Sequence, residues 1–192
     1  MNKNVLLCGV GGQGTVLASK LLAAAAMEKG LPVMSAETIG MAQKGGSVFS
    51  HLRMGDGIET PMVGKNSADV IIGFEPAEAV RMLPFLAENG CVVVNSCPVI
   101  PVTSVLKTSS YDGSEMIGYL KKQVKNLIVV DGISACQKVG SPKVLNMVLL
   151  GAALKSGVLP FTGEELKKVM RERVNPKFYE LNCRALDYAA EL

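Results

Sequence analysis

The chain has 192 residues, 48% of them hydrophobic, which is enough for one globular unit with a substantial core. Its 20 Lys and Arg are interspersed with 17 Asp and Glu for a net charge of +3, so there is no electrostatic footprint for nucleic acid or an anionic membrane. No apolar run reaches the ~18 residues of a membrane helix, and one His, no Trp and five Cys without a CxxC pair leave little for a self-contained hydrolase, a disulfide framework or a metal site.

The N-terminal MNKN leads toward a strand with no secretory-signal pattern, so the expected location is cytoplasmic. Val5 to Cys8 is a short apolar run, the mark of a strand buried on both faces, and Gln13 to Lys29 carries Val16, Leu17, Leu21, Ala24 and Met27 at helical spacing. After the turn at Gly30-Leu31-Pro32, Leu31 to Ala36 reads as a second strand completing a βαβ crossover. Gly40 to Gly46 breaks the pattern. Val48, Ser50, Leu52 and Met54 then alternate with Phe49, His51 and Arg53 up to Gly55-Asp56-Gly57, which predicts a strand and a hairpin with Ile58 to Val63.

Two further buried strands are expected at Asp69 to Phe74 and Cys91 to Asn95, with a packed helix from Glu75 to Glu88 between them. A helix around Ser114 to Lys125 and a strand at Leu127 to Asp131 continue the alternation. The remainder is mainly helical. Lys143 to Ser156 is apolar almost all round, which requires a central position or cover from another subunit. Thr162-Gly163-Glu164-Glu165 has capping-box spacing, and Asn175-Pro176 pairs an N-cap with proline at the first helical position. The fold class that follows is α/β: a Rossmann-like, doubly wound, mostly parallel sheet with a hairpin insertion and a helical C-terminal region, in one domain over residues 1–192.

Gly9, Gly11 and Gly14, with Gly12 between them, satisfy G-x-G-x-x-G between a strand and a helix. Such a loop either presents amides to a phosphate at the helix N-terminus or serves as a tight turn for strand–helix packing. A dinucleotide site also wants an acidic residue at the end of the second strand, and Glu37 is the nearest candidate, somewhat late. No Gly-Lys-Ser/Thr follows the loop, which excludes a P-loop NTPase.

Three segments carry a family resemblance: GVGGQG at Gly9 to Gly14, AETIGMAQKGGSVFSHLRMG at Ala36 to Gly55, and GSPKVLNMVLLGA at Gly140 to Ala152. Together with NPKFYELNCRAL at Asn175 to Leu186, they resemble the beta subunits of indolepyruvate:ferredoxin oxidoreductases. Those subunits belong with the gamma subunits and gamma domains of 2-oxoacid:acceptor oxidoreductases. The resemblance implies oxidative decarboxylation of a 2-oxoacid to an acyl-coenzyme A, with aryl pyruvates as the substrates of the indolepyruvate type. It also implies that thiamine diphosphate, Mg and the iron–sulfur clusters belong to a large alpha subunit, with ferredoxin as the acceptor and coenzyme A as co-substrate. This chain would then carry no cofactor and no catalytic residue of its own, and would be inactive alone. The alternatives are a stand-alone NAD(P)-dependent Rossmann enzyme using the glycine loop, or the gamma subunit of a pyruvate or 2-oxoglutarate enzyme.

On this reading Glu37, Met41, Gln43, Lys44, Gly45, Gly46 and Ser47 form a loop facing the partner near its cofactor pocket. Lys44 and Arg53 are cations able to attract a carboxylate or a coenzyme A phosphate, or simply solvated or paired surface groups. Gly9, Gly11, Gly12 and Gly14 are the candidate phosphate or structural loop. His51, the single imidazole, is expected to be a hydrogen-bonded structural residue, Glu75 a helix cap and Asn95 a turn former. Asn146, in an apolar helix, needs a buried partner or a subunit contact.

Overall fold

The computed structural model describes residues 2–37, 45–100 and 111–191. Six strands form one sheet in the order β2-β3-β1-β4-β5-β6. They are β1 Lys3–Val10, β2 Val33–Glu37, β3 Ser47–Met54, β4 Ala68–Gly73, β5 Leu86–Asn95 and β6 Asn126–Val130. The described residues also form seven α-helices: α1 Thr15–Glu28, α2 Pro76–Met82, α3 Ser114–Gln123, α4 Gly132–Val139, α5 Leu145–Lys155, α6 Gly163–Arg173 and α7 Tyr179–Glu191. None of these helices is long and apolar enough to cross a membrane.

The sheet is buried on both faces, and the alternation of its strands assigns each side chain to a layer. Val5, Leu7, Val70, Ile72 and Val93 face one side with α1, α5 and α7, while Leu6, Cys8, Ile71, Val92 and Val94 face the other with α2 and α3. Near-continuous apolar runs are what such a sheet demands, since each fully buried Val or Leu stabilises by about 1.5–3 kcal/mol.

The left side of the sheet keeps the expected βαβ crossover and places one more strand inside it. β2 runs in the same direction as β1, but β3 lies between them and pairs antiparallel with both, Ser47 opposite Val10 and Glu37 opposite Ser50. β3 is therefore the antiparallel insertion, yet Ile58 to Val63 is not its hairpin partner. Both edges of β3 are already occupied, and the segment's backbone is claimed by side chains. Val63 N–H donates to His51 Nδ1 at 3.0 Å, and Arg53 Nη1 donates to the Thr60 carbonyl at 3.0 Å.

The helix expected to reach Glu88 stops at Met82, because Pro84 removes a donor; Leu83–Phe85 is a single 3-10 turn and β5 begins at Leu86. The apolar helix is central. α5 has every residue from Asn146 to Ala153 buried and lies beneath α7, where a Cβ on Gly151 would stand 2.2 Å from the Leu186 carbonyl oxygen and 3.0 Å from Ala189 Cβ. The Thr162–Glu165 capping box forms as expected, Thr162 N–H donating to Glu165 Oε2 at 2.7 Å. Asn175 caps the 3-10 turn Pro176–Phe178 that leads into α7. Cys8, Cys91, Cys136 and Cys183 are buried free thiols, as their isolation in the sequence implies, whereas Cys97 is only half-buried.

Glycine substitutions at two helical positions should act with opposite sign. Gly151→Ala inserts a methyl where α7 stands and should destabilise by roughly 1–3 kcal/mol. Gly118→Ala, in α3 with open space at its Cβ position, should stabilise by about 0.5–1 kcal/mol through helix propensity. Chemical denaturation of the two variants measures both.

His51 generates a second prediction. Burial lowers its pKa, and its Nδ1 must stay unprotonated to accept from Val63. Below about pH 6.5 the unfolded chain takes up a proton at this residue that the folded chain refuses. Stability is thus complete above that pH and should fall below it by up to about 1.4 kcal/mol per pH unit. His51→Gln, which keeps an acceptor without a titrating proton, should lose this part of the slope in denaturation midpoints measured from pH 7 to pH 5.

A candidate cleft at the carboxyl edge of the sheet

The strands β1, β4, β5 and β6 all point their carboxyl ends at the same edge, so the turns that follow them meet there. Ligands of open α/β sheets bind at such an edge. What joins these turns is a pair of side-chain amides. Gln13 accepts from Val10 N–H at 2.7 Å through Oε1 and donates from Nε2 to the Phe74 carbonyl at 3.0 Å, tying the turn after β1 to the end of β4. Asn95 donates to the same Phe74 carbonyl at 3.1 Å and to the Cys97 carbonyl at 3.1 Å. Its Oδ1 accepts from Cys97 N–H at 3.2 Å and Gly132 N–H at 3.1 Å. Asn95 is thus a turn former, as expected, and also the joint between β4, β5 and α4.

The glycine loop is used by the chain itself. Gly11 N–H donates to the Gly46 carbonyl at 2.9 Å and Gly45 N–H donates to the Gly11 carbonyl at 3.4 Å, extending the β1–β3 pairing around the turn. Gly12 and Gly14 have φ of +103° and +85°, conformations that favour glycine. A Cβ on Gly9 would stand 2.6 Å from Gln13 Oε1 and 2.7 Å from Phe74 Cβ, and one on Gly14 would stand 2.9 Å from Asn146 Nδ2. The glycines admit Gln13, Phe74 and Asn146 at close range, which is the packing use of such a turn; Asn146, buried, accepts from Met147 N–H at 3.0 Å through Oδ1.

Beside Gln13 and Asn95 opens a cleft of about 620 Å3. Its walls are the turn Cys97-Pro98-Val99, the cleft-facing side of α4 with Ile133 and Cys136, and the segment from Gly140 to Leu145. Asp131 caps α4, accepting from Ser134 N–H at 3.0 Å and Ser134 Oγ at 2.6 Å, and these bonds hold its carboxyl below the usual range. Ile133 is 59% exposed at the mouth, an apolar side chain left open to solvent.

A second cluster lies where the candidate loop re-enters β3. Glu75 and Glu78, both buried, are held by opposite segments. Glu75 caps α2 through Glu78 N–H at 3.0 Å and accepts from the Tyr111 hydroxyl, while Glu78 accepts from Ser47 Oγ and pairs with Arg81 at 3.3 Å. Burial and the hydrogen bond to Glu75 push Tyr111 up, and burial, with Glu78 and Glu75 close by, pushes up the Cys8 thiol beneath them.

The candidate residues divide accordingly. Glu37, Gly45, Gly46 and Ser47 stand together at the carboxyl edge, Glu37 closing β2 and Ser47 opening β3. Arg53 does not join them. It sits at the opposite end of β3, where Nε donates to Asn4 Oδ1 at 2.9 Å, because an antiparallel strand carries its last residues to the far edge. Met41, Gln43 and Lys44 lie outside the described residues. Gln13, Cys97, Ile133, Cys136, Glu78 and Tyr111 were not singled out from the sequence; Gln13 alone had a visible signal, its place inside the glycine motif. Among the described residues, no three His, Cys, Asp or Glu side chains come together as a metal-binding set.

Comparison with known proteins is consistent with this architecture. Residues 4–192 match the family of pyruvate ferredoxin/flavodoxin oxidoreductases. The chain is 40% identical to indolepyruvate oxidoreductase subunit IorB of Archaeoglobus fulgidus, over 97% of this chain and 92% of that one. It is 26% identical to the pyruvate/ketoisovalerate oxidoreductases common subunit gamma of Pyrococcus furiosus, over 95% of this chain and 92% of that one. In fold it resembles the 2-oxoglutarate:ferredoxin oxidoreductase of Magnetococcus marinus, solved with 2-oxoglutarate, coenzyme A and succinyl-CoA bound. The TM-score is 0.71 at 18% identity, covering 100% of this chain and 31% of that one. A match along almost the whole sequence, joined to relatives that are themselves subunits, places the chain in the pyruvate ferredoxin/flavodoxin oxidoreductase family.

Proposed function

We propose that the chain is a single-domain, gamma-type subunit, residues 1–192, of a cytoplasmic ferredoxin-dependent 2-oxoacid oxidoreductase, with indolepyruvate or another aryl pyruvate as the oxoacid. The higher identity to an indolepyruvate oxidoreductase subunit than to the pyruvate/ketoisovalerate gamma subunit supports that substrate class. The observation that carries the reading against a stand-alone nicotinamide enzyme is the Gly11–Gly46 pairing, with Gln13 folded into the turn. A loop bound to its own β3 offers poor access to a pyrophosphate.

Thiamine diphosphate with Mg, and the iron–sulfur clusters, would be held by the large partner and supply decarboxylation and electron transfer to ferredoxin. This chain's contribution is surface and position. The segment from Glu37 to Ser47, including Met41, Gln43 and Lys44, faces that partner, its return into β3 fixed by the Ser47–Glu78 bond. The carboxyl-edge cleft takes part of coenzyme A, its apolar walls covering the thiol arm and the Gln13–Asn95 network keeping the walls at fixed spacing.

The test is reconstitution. Mixed with its large partner, the chain should support aryl-pyruvate oxidation dependent on coenzyme A and ferredoxin, and alone it should be inert and give no heat with NAD(H) or NADP(H) in calorimetry. Unaided turnover, or tight dinucleotide binding, overturns the assignment. In the assembled enzyme, Glu37→Ala or Gln43→Ala should lower turnover with assembly intact. Ile133→Asp, placing a negative charge at the exposed mouth of the cleft, should raise KM for coenzyme A about tenfold, equivalent to about 1.4 kcal/mol, with KM for the oxoacid unchanged.

A further inference from the structure

Two of the five cysteines line one cavity. Cys97 follows β5 on the turn held by Asn95, half-buried, with Sγ 3.7 Å from Asp131 Oδ1 and 3.9 Å from Ser96 Oγ. Cys136 lies on α4, whose N-terminal cap is that same Asp131, and faces the same cleft at 7% exposure. The other three thiols lie elsewhere: Cys8 and Cys91 within the sheet and Cys183 in α7. None of these three lines the cleft.

We propose that Cys97 and Cys136 form a thiol–disulfide exchange site in the cleft, Cys97 attacking a low-molecular-weight disulfide and Cys136 resolving the adduct. The order of attack follows from access. Cys97 is open to a small molecule entering the cleft, while Cys136 is set deeper and burial, then the charge on Cys97, pushes its thiol up. Both residues line the same cavity, so the second attack needs no cysteine from elsewhere in the chain.

The exchange balances in two steps. The Cys97 thiol loses its proton to solvent and its sulfur attacks the disulfide RSSR, forming Cys97–S–SR and releasing one thiolate, which takes up a proton. Cys136 then loses its proton to solvent and attacks Cys97 Sγ, forming the Cys97–Cys136 bond and releasing the second thiolate, protonated in turn. The two protein thiols are oxidised by two electrons, and RSSR is reduced to two RSH. The product links the Cys97–Val99 turn covalently to α4. The proposal does not depend on which ligand the cleft serves.

The test uses the full chain and glutathione disulfide, read by intact mass and by peptide mapping without reduction. The wild type should lose the mass of two hydrogens and map to a Cys97–Cys136 bond, restored by dithiothreitol. Cys136→Ser should stop at one glutathione on Cys97, and Cys97→Ser should show neither product at these positions. A wild type that pairs other cysteines, stays unmodified, or retains glutathione on Cys97 with Cys136 free overturns the proposal. So does a Cys97→Ser chain that oxidises as the wild type does. The wild-type peptide map decides the matter even where a variant folds poorly.

Discussion

One carbonyl oxygen organises the functional edge of this protein. Phe74 O, at the end of β4, accepts from Gln13 and from Asn95, and through those two amides the turns after β1, β4, β5 and β6 become one unit. Asn95 donates to two carbonyls and accepts from two backbone N–H groups, and Gln13 also holds Val10 N–H, so shifting these turns leaves polar groups unpaired, at a cost of about 1–3 kcal/mol for each one that is buried. The glycines of the first turn are the condition for this arrangement, since side chains there would collide with Gln13, Phe74 and Asn146. A motif that in other sheets opens space for a pyrophosphate here closes space around an amide.

The second constraint is the reversal of β3. Inserting an antiparallel strand between β1 and β2 brings Gly45 and Gly46 against the glycine loop and sets Ser47 over Glu78, while sending Arg53 to the opposite edge. The same strand thus gathers one set of candidate residues and disperses another.

Much of this was legible in the sequence and some was not, for physical reasons. Apolar runs such as Val5 to Cys8 and Cys91 to Asn95 announce strands buried on both faces, and the uniform apolarity of α5 announces a helix with no wet side. Strand order is another matter: β3 reads the same whether it pairs with β1 and β2 or with the segment after it, because alternation records faces and not neighbours. The end of α2 is not legible in the apolar spacing, which continues through Pro84; the missing donor there decides the boundary. At the cleft, Cys97, Ile133 and Cys136 come from two separate segments and carry no local signature, so only the fold could bring them together.

The burial of α5 beneath α7 bears on how the polypeptide is made. During synthesis the sheet and α5 leave the ribosome before Tyr179–Glu191 exists to cover them, and for that interval a helix apolar on nearly every side has one flank in water. The nascent chain stays adhesive there until the thirteen-residue helix α7 arrives and docks along Gly151. A ribosome that stalls before that helix leaves α5 uncovered, a sticky fragment in place of a domain.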